Sequence, residues 1–131
     1  IGTGSGYHAA VLSHLVRHVY TIDRFRTLVE LAELRFRTLR IGNVTAVVGD
    51  GTLGWPANAT FDRIIVTAAT EDVPQALVEQ LKPNGVMVVP IGPADGVQTL
   101  KRLEKTGRRL GETILGEVRL VPLIPGKAER L

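Results

Sequence analysis

Cysteine is absent from this 131-residue chain, and aromatic residues make up only 5% of it. Without thiols there is no disulfide framework, no thiolate nucleophile and no cysteine-based metal site. Histidine is scarce as well, at three residues. Two of them, His14 and His18, stand four apart and could share a helix face. His18 falls at the expected helix end, however, and no carboxylate is placed to join the pair, so no metal is expected. Long apolar runs are missing too. None approaches the roughly 20 residues that cross a bilayer, and no targeting segment is visible, so a cytoplasmic protein without a membrane partner is expected. The charge balance is only mildly basic, at +3. The arginines gather in "RFRTLVELAELRFRTLR" without a row of aromatics on which bases could stack. That pattern reads as a solvated helix face, and nucleic acid is not an expected partner.

What is present is an alternation of strand and helix in a chain that is 44% hydrophobic, enough for the core of one domain spanning residues 1–131. Tyr7, Val11 and Leu15, with Ala10 and Leu12, predict a first helix running to Arg17. "HVYTID" (18–23) reads as a short buried strand. Phe25, Leu28, Val29, Ala32, Phe36 and Leu39 then recur at helical spacing. Arg26/Glu30 and Glu33/Arg37 lie four apart on the polar side of that helix, and Gly42-Asn43 supplies residues that tolerate a left-handed turn at its end. "VTAVVGD" (44–50), "FDRIIVTAA" (61–69) and "VMVVP" (86–90) come next as strands. "PQALVEQL" makes a short helix before the last of these, and Pro83-Asn84-Gly85 a turn. Strands separated by helices predict an α/β fold with a mostly parallel sheet. The tail has no helical stripe and a turn signal at Thr106-Gly107, which predicts an antiparallel hairpin at the sheet edge.

Chemistry concentrates at the strand ends. "IGTGSGY" opens the chain with Gly2, Gly4 and Gly6 at alternate positions, a spacing that lets backbone approach a ligand closely. Asp23 ends the next strand, 21 positions after Gly2, where an acidic residue of a βαβ unit reaches the vicinal hydroxyls of a ribose. Helix capping for the segment beginning at Arg24 is its ordinary alternative role. Together they point to an adenosine-type cofactor: NAD, FAD or S-adenosylmethionine. The third glycine comes one residue sooner than in the GxGxxG of pyrophosphate-binding loops, and Tyr7 comes directly after it. This favours S-adenosylmethionine, with Gly2, Thr3, Gly4, Ser5, Gly6 and Tyr7 as its cradle. Asp50 of "GDG" (49–51), with Gly51 beside it, could accept a hydrogen bond from an adenine amino group, although an acid–glycine turn also occurs with no ligand. Thr67, Ala68 and Ala69 end a further strand, and their small side chains would admit a substrate carboxylate; small residues also simply suit a strand–loop junction.

"IGTGSGYHAAVL", "VYTID", "GDGTLGWPANATFDRIIVTAA", "LKPNGVMVVPIG" and "VRLVPL" together make the chain resemble the protein-L-isoaspartate O-methyltransferase family along almost its whole length. The "GDG…GWP…FDRIIVTAA" block and the terminal "VPL" are its more specific parts. Two positions depart from the pattern: Leu120 where an aromatic is usual, and His8 where glutamine is common. The resemblance implies a Rossmann-like class I methyltransferase that moves a methyl group from S-adenosylmethionine to the side-chain carboxylate of L-isoaspartyl residues in damaged proteins. It also implies a catalytic serine and further pocket residues in a segment upstream of Ile1. The chain is accordingly expected to be N-terminally truncated at the first strand, and inactive and unstable by itself. Two other readings stand beside this one: a class I methyltransferase acting on RNA or a small molecule, and an inactive cofactor-binding fragment.

Overall fold

The computed structural model describes residues 1–57 and 59–129. Asn58, inside the "GWPANAT" stretch, lies outside them. Two compact units emerge: Gly2–Gly51 with the segment from Ile124 onward, and Thr52–Leu123 with Ile1.

In the first unit, helix α1 (Tyr7–Ser13), strand β1 (Val19–Asp23), helix α2 (Arg26–Thr38) and strand β2 (Val44–Val48) succeed one another, and β1 and β2 pair in parallel. The core is small: Ala9, Ala32 and Phe36, with Val19, Ile41, Val44 and Ala46 packed against them. Helix α1 stops at Ser13, short of the predicted Arg17. Its last carbonyls have no partner within the helix, and the Asn43 side-chain amide donates to the carbonyl of Ser13 at 2.8 Å and to that of Arg17 at 3.3 Å. The buried side of α1 also differs from the expected one. Ala9 and Ser13 face inward, whereas Tyr7 is 77% exposed and Leu15 75% exposed. On that inner face Ala9 packs with Ala32 and Phe36 of α2.

Helix α2 matches its periodicity, burying Val29, Ala32 and Phe36. Its end is a Schellman motif. Ile41 N–H reaches back to Phe36 O at 2.8 Å and Arg40 N–H to Arg37 O at 3.1 Å. The left-handed residue is therefore Arg40, with φ of 56°, and not the Gly42-Asn43 pair.

In the second unit, β3 (Phe61–Ile65), helix α3 (Gln75–Glu79), β4 (Leu81–Ile91), β5 (Gln98–Thr106) and β6 (Arg109–Val118) build a sheet of order β3-β4-β5-β6. β3 and β4 are parallel, and the two later pairings are antiparallel, as the tail pattern predicts. Gly107, with φ of 60°, supplies the positive dihedral at the two-residue hairpin turn. Strand β4 begins earlier than predicted, at Leu81. Pro83-Asn84-Gly85 forms an irregularity inside it, where the register jumps from Phe61↔Leu81 to Arg63↔Val86. Asn84 is left-handed there, with φ of 64°. A Cβ at Gly85 would sit 2.7 Å from Lys82 O, so no other residue fits the fold-back. Ile64, Val66, Leu77, Leu81, Met87, Val89 and Leu103 form the core of this unit. No helix among the described residues is long and apolar enough to cross a membrane.

Candidate functional site

The glycine loop is tied to the end of β1 and to itself by four contacts. Gly2 N–H donates to Ile22 O at 2.9 Å, and the buried hydroxyls of Thr3 and Thr21 meet at 2.8 Å. Gly6 N–H closes a tight turn onto Thr3 O at 2.9 Å. The fourth contact is the informative one: Gly4 N–H donates to Asp23 Oδ2 at 3.0 Å. The other carboxylate oxygen, Oδ1, accepts Phe25 N–H at 3.1 Å. Asp23 therefore makes an Asx turn ahead of α2, whose own N-cap residue is Phe25. A carboxylate offers about four lone-pair sites. Each Asp23 oxygen uses one on backbone, so each keeps one for a further donor, which is what two vicinal hydroxyls require.

Gly4 and Gly6 do different work. A Cβ at Gly6 would lie 3.0 Å from the Phe36 ring and 3.1 Å from Ala32, at φ of 89°. Glycine there lets the loop and α1 sit down on α2. A Cβ at Gly4 would meet nothing within 4 Å, so that side of the loop is open. The open, backbone-lined face beside a half-occupied carboxylate fits the aminoacyl and ribose portions of an adenosyl cofactor. Ser5 is fixed on the other side, its carbonyl accepting the Arg35 guanidinium at 2.8 Å and its hydroxyl accepting Tyr7 N–H at 3.3 Å.

Asp50, expected to face an adenine, stands at the end of β2 next to buried Gly51. Its Oδ2 accepts Gly126 N–H at 2.9 Å. This belongs to a strap that the sequence did not reveal. Residues 124–129 run alongside Arg24–Thr27: Ala128 N–H donates to Arg24 O at 2.7 Å, while Arg26 and Thr27 N–H donate to Ala128 O and Glu129 O, each at 3.0 Å. Helix α2 lacks a capping side chain, and the strap's carbonyls take up the first two of its orphan N–H donors. The one available signal was Phe25 itself, a residue that cannot cap.

In the other unit, Thr67 N–H and Oγ1 both donate to Ile1 O, at 3.0 and 2.8 Å. Ala68 and Ala69 are buried. Ala69 N–H donates to Val121 O and Leu123 N–H to Ala69 O, both at 2.7 Å, so the "VPL" segment pairs with "TAA" as a short parallel bridge. Trp55 is pinned through its backbone. Its N–H donates to Gln80 Oε1 at 2.8 Å, its carbonyl accepts Gln80 Nε2 at 2.9 Å, and its ring meets Phe61 edge-on. His18 Nε2 lies 2.7 Å from Thr45 Oγ1, and its ring packs on Tyr20.

Against known proteins, the family model described as protein-L-isoaspartate(D-aspartate) O-methyltransferase matches residues 1–128. A protein-L-isoaspartate O-methyltransferase of Xanthobacter autotrophicus is 58% identical across the whole of this chain, which spans 60% of that relative's length. Among solved structures, a protein-L-isoaspartate O-methyltransferase superposes with a TM-score of 0.85 at 33% identity, over 92% of this chain and 39% of the other. A putative member from Plasmodium falciparum, in complex with S-adenosyl-L-homocysteine, gives a TM-score of 0.76 at 24% identity, over 94% of this chain and 63% of the other. The fold is thus the Rossmann-like one of class I S-adenosylmethionine-dependent methyltransferases. With its family model matched from the first residue to the 128th, the chain belongs to the protein-L-isoaspartate(D-aspartate) O-methyltransferase family.

Proposed function

We propose that the protein containing this chain methylates the side-chain carboxylate of L-isoaspartyl residues in damaged proteins and peptides, and that residues 1–131 belong to its S-adenosylmethionine-binding domain. The observation that carries the cofactor half is the Asp23–Gly4 pair beside the open face of the loop. Family membership supports the substrate half, and a cytoplasmic location goes with a substrate drawn from ageing cellular proteins. Asp23 would hold the ribose hydroxyls. Gly2, Thr3, Gly4, Ser5, Gly6 and Tyr7 would follow the aminoacyl arm with their backbone. Asp50 and Gly51 would face the adenine. Bound there, S-adenosylmethionine would supply an electrophilic methyl group.

The residues of this chain would then act by placement. An isoaspartyl carboxylate is ionised at neutral pH and is already a nucleophile, so no general base is needed. Thr67, Ala68 and Ala69, with their small side chains, would leave room for that carboxylate, and the rate would come from alignment of its oxygen with the methyl carbon and sulfur. The adjacent backbone amide nitrogen then attacks the methyl ester and expels methanol, closing a succinimide without further help from the protein. The test compares radiolabelled methyl incorporation into one peptide carrying L-isoaspartate or ordinary aspartate at the same position. Labelling of the isoaspartyl peptide alone is the expected result, and equal labelling of both contradicts the substrate assignment.

A further inference from the structure

We propose that Gln98 is a positioning residue for the substrate side of the site, acting through the "VPL" segment on Ala69; this rests on the functional reading above. Gln98 is the most deeply buried polar side chain among the described residues, at 1% exposure. A single amide there serves three backbone groups. Its Oε1 accepts Leu120 N–H at 2.8 Å, and its Nε2 donates to Pro93 O at 2.8 Å and to Leu120 O at 3.4 Å. Its main chain pairs with Val118, the last residue of β6. The side chain therefore takes over where the β5–β6 ladder ends and holds the chain two residues further on.

The segment just beyond Leu120 grips Ala69. Val121 O accepts Ala69 N–H, and Leu123 N–H donates to Ala69 O. Leu120 lies in a solvent-facing stretch: Val121 is 72% exposed, so apolar burial does little to fix its register. The Gln98 amide and the Ala69 bridge anchor this stretch by polar contacts, and one residue of slippage would turn each side chain to the opposite face. The backbone approaches Gln98 closely on its other side as well. A Cβ at Gly92 would lie 2.9 Å from Gln98 Cα and 3.2 Å from its Cγ, so the backbone packs directly against this residue. Gln98 touches no proposed ligand. Its effect on Ala69 runs from the side-chain amide to the Leu120 backbone and on through the main-chain hydrogen bonds of Val121 and Leu123 to Ala69.

The experiment uses the intact protein with Gln98→Met, which keeps the volume and removes both hydrogen-bonding functions, and Gln98→Glu, which keeps the acceptor for Leu120 N–H. Amide exchange is followed residue by residue, together with KM and kcat for an isoaspartyl peptide. Gln98→Met should raise exchange at Leu120, Ala69 and Leu123 by about tenfold or more, the factor expected for one lost buried hydrogen bond. Exchange at Met87 and Val89 of β4 should stay unchanged. KM for the peptide should rise by about tenfold while kcat and the methyl-donor KM move by less than about twofold. Gln98→Glu sets a carboxylate oxygen against the carbonyls of Pro93 and Leu120 in a buried site, so it should disturb both readouts at least as much as Gln98→Met. Unchanged exchange at Ala69 and Leu123 overturns the proposal. So does a uniform rise that includes β4, or a fall in kcat at constant peptide KM. Wild-type protein silent on isoaspartyl peptides would overturn the functional reading instead, and the exchange pattern would still decide whether Gln98 positions Ala69.

Discussion

The two units differ in what holds each of them together internally. Around Thr67–Ala69, a four-stranded sheet buries Ile64, Val66, Leu77, Leu81, Met87, Val89 and Leu103 in one apolar cluster. Around the glycine loop, a two-stranded sheet and two helices enclose only Ala9, Ala32 and Phe36 in their cluster. The second arrangement leans on polar ties instead: Asp23 to Gly4 and Phe25, Asn43 to the end of α1, Arg35 to Ser5, and the strap to α2. A loop that must expose its backbone to a ligand cannot be fixed by burying it. Hydrogen bonds to backbone fix it and leave one face open.

The contrast can be broken most forcefully in the apolar unit. Leu103 is fully buried, and Leu103→Ala should cost about 2–5 kcal/mol, as large-to-small core substitutions do. Urea unfolding followed by Trp55 fluorescence would report it. A loss below about 1 kcal/mol would mean that this core is loosely packed. In the other unit, the largest effect should come from a change that adds volume. Gly6→Ala drives a methyl group against the Phe36 ring at a left-handed backbone position, which should cost about 1–3 kcal/mol. Gly4→Ala lacks that clash. It should cost less stability and be felt mainly in cofactor affinity, which titration of both variants would separate.

Much of this was legible in the sequence, for definite reasons. Helix α2 was readable because Val29, Ala32 and Phe36 repeat at its period, and the β5–β6 hairpin because Gly107 is a turn signal between two strand-like runs. That Asp23 stands beside the glycine loop was readable from its distance to Gly2. The features that escaped are those written in main-chain hydrogen bonds. The strap "IPGKAE" has no hydrophobic period, and its task is to offer carbonyls to Arg26 and Thr27. The end of α1 was set by Asn43, 30 positions away from Ser13. Gly42-Asn43 looked like the stop of α2, but the Phe36–Ile41 contact placed the left-handed residue at Arg40.

Two smaller tests sharpen the polar half of the comparison. Asn43→Ala leaves the carbonyls at the end of α1 without their donor and should cost about 1 kcal/mol, typical of one intramolecular hydrogen bond. Amide exchange in α1 should rise accordingly. Arg40→Gly removes the left-handed strain of a residue bearing Cβ, and should change stability by about +0.5 kcal/mol once the extra freedom of glycine in the unfolded chain is counted. A small rise in melting temperature is the readout, and a fall would mean that the Arg40 side chain contributes more than its backbone strain.

Calorimetric titration of S-adenosylhomocysteine into the intact protein and its Asp23→Ala variant tests the central claim most directly. Asp23 should contribute about 1.5–3 kcal/mol through hydrogen bonds to a charged acceptor. Wild type should therefore bind the ligand, and the variant should bind it about ten- to 150-fold more weakly. Equal affinity of the two proteins would contradict the assignment of Asp23, and with it the cofactor site built around the Gly4 contact.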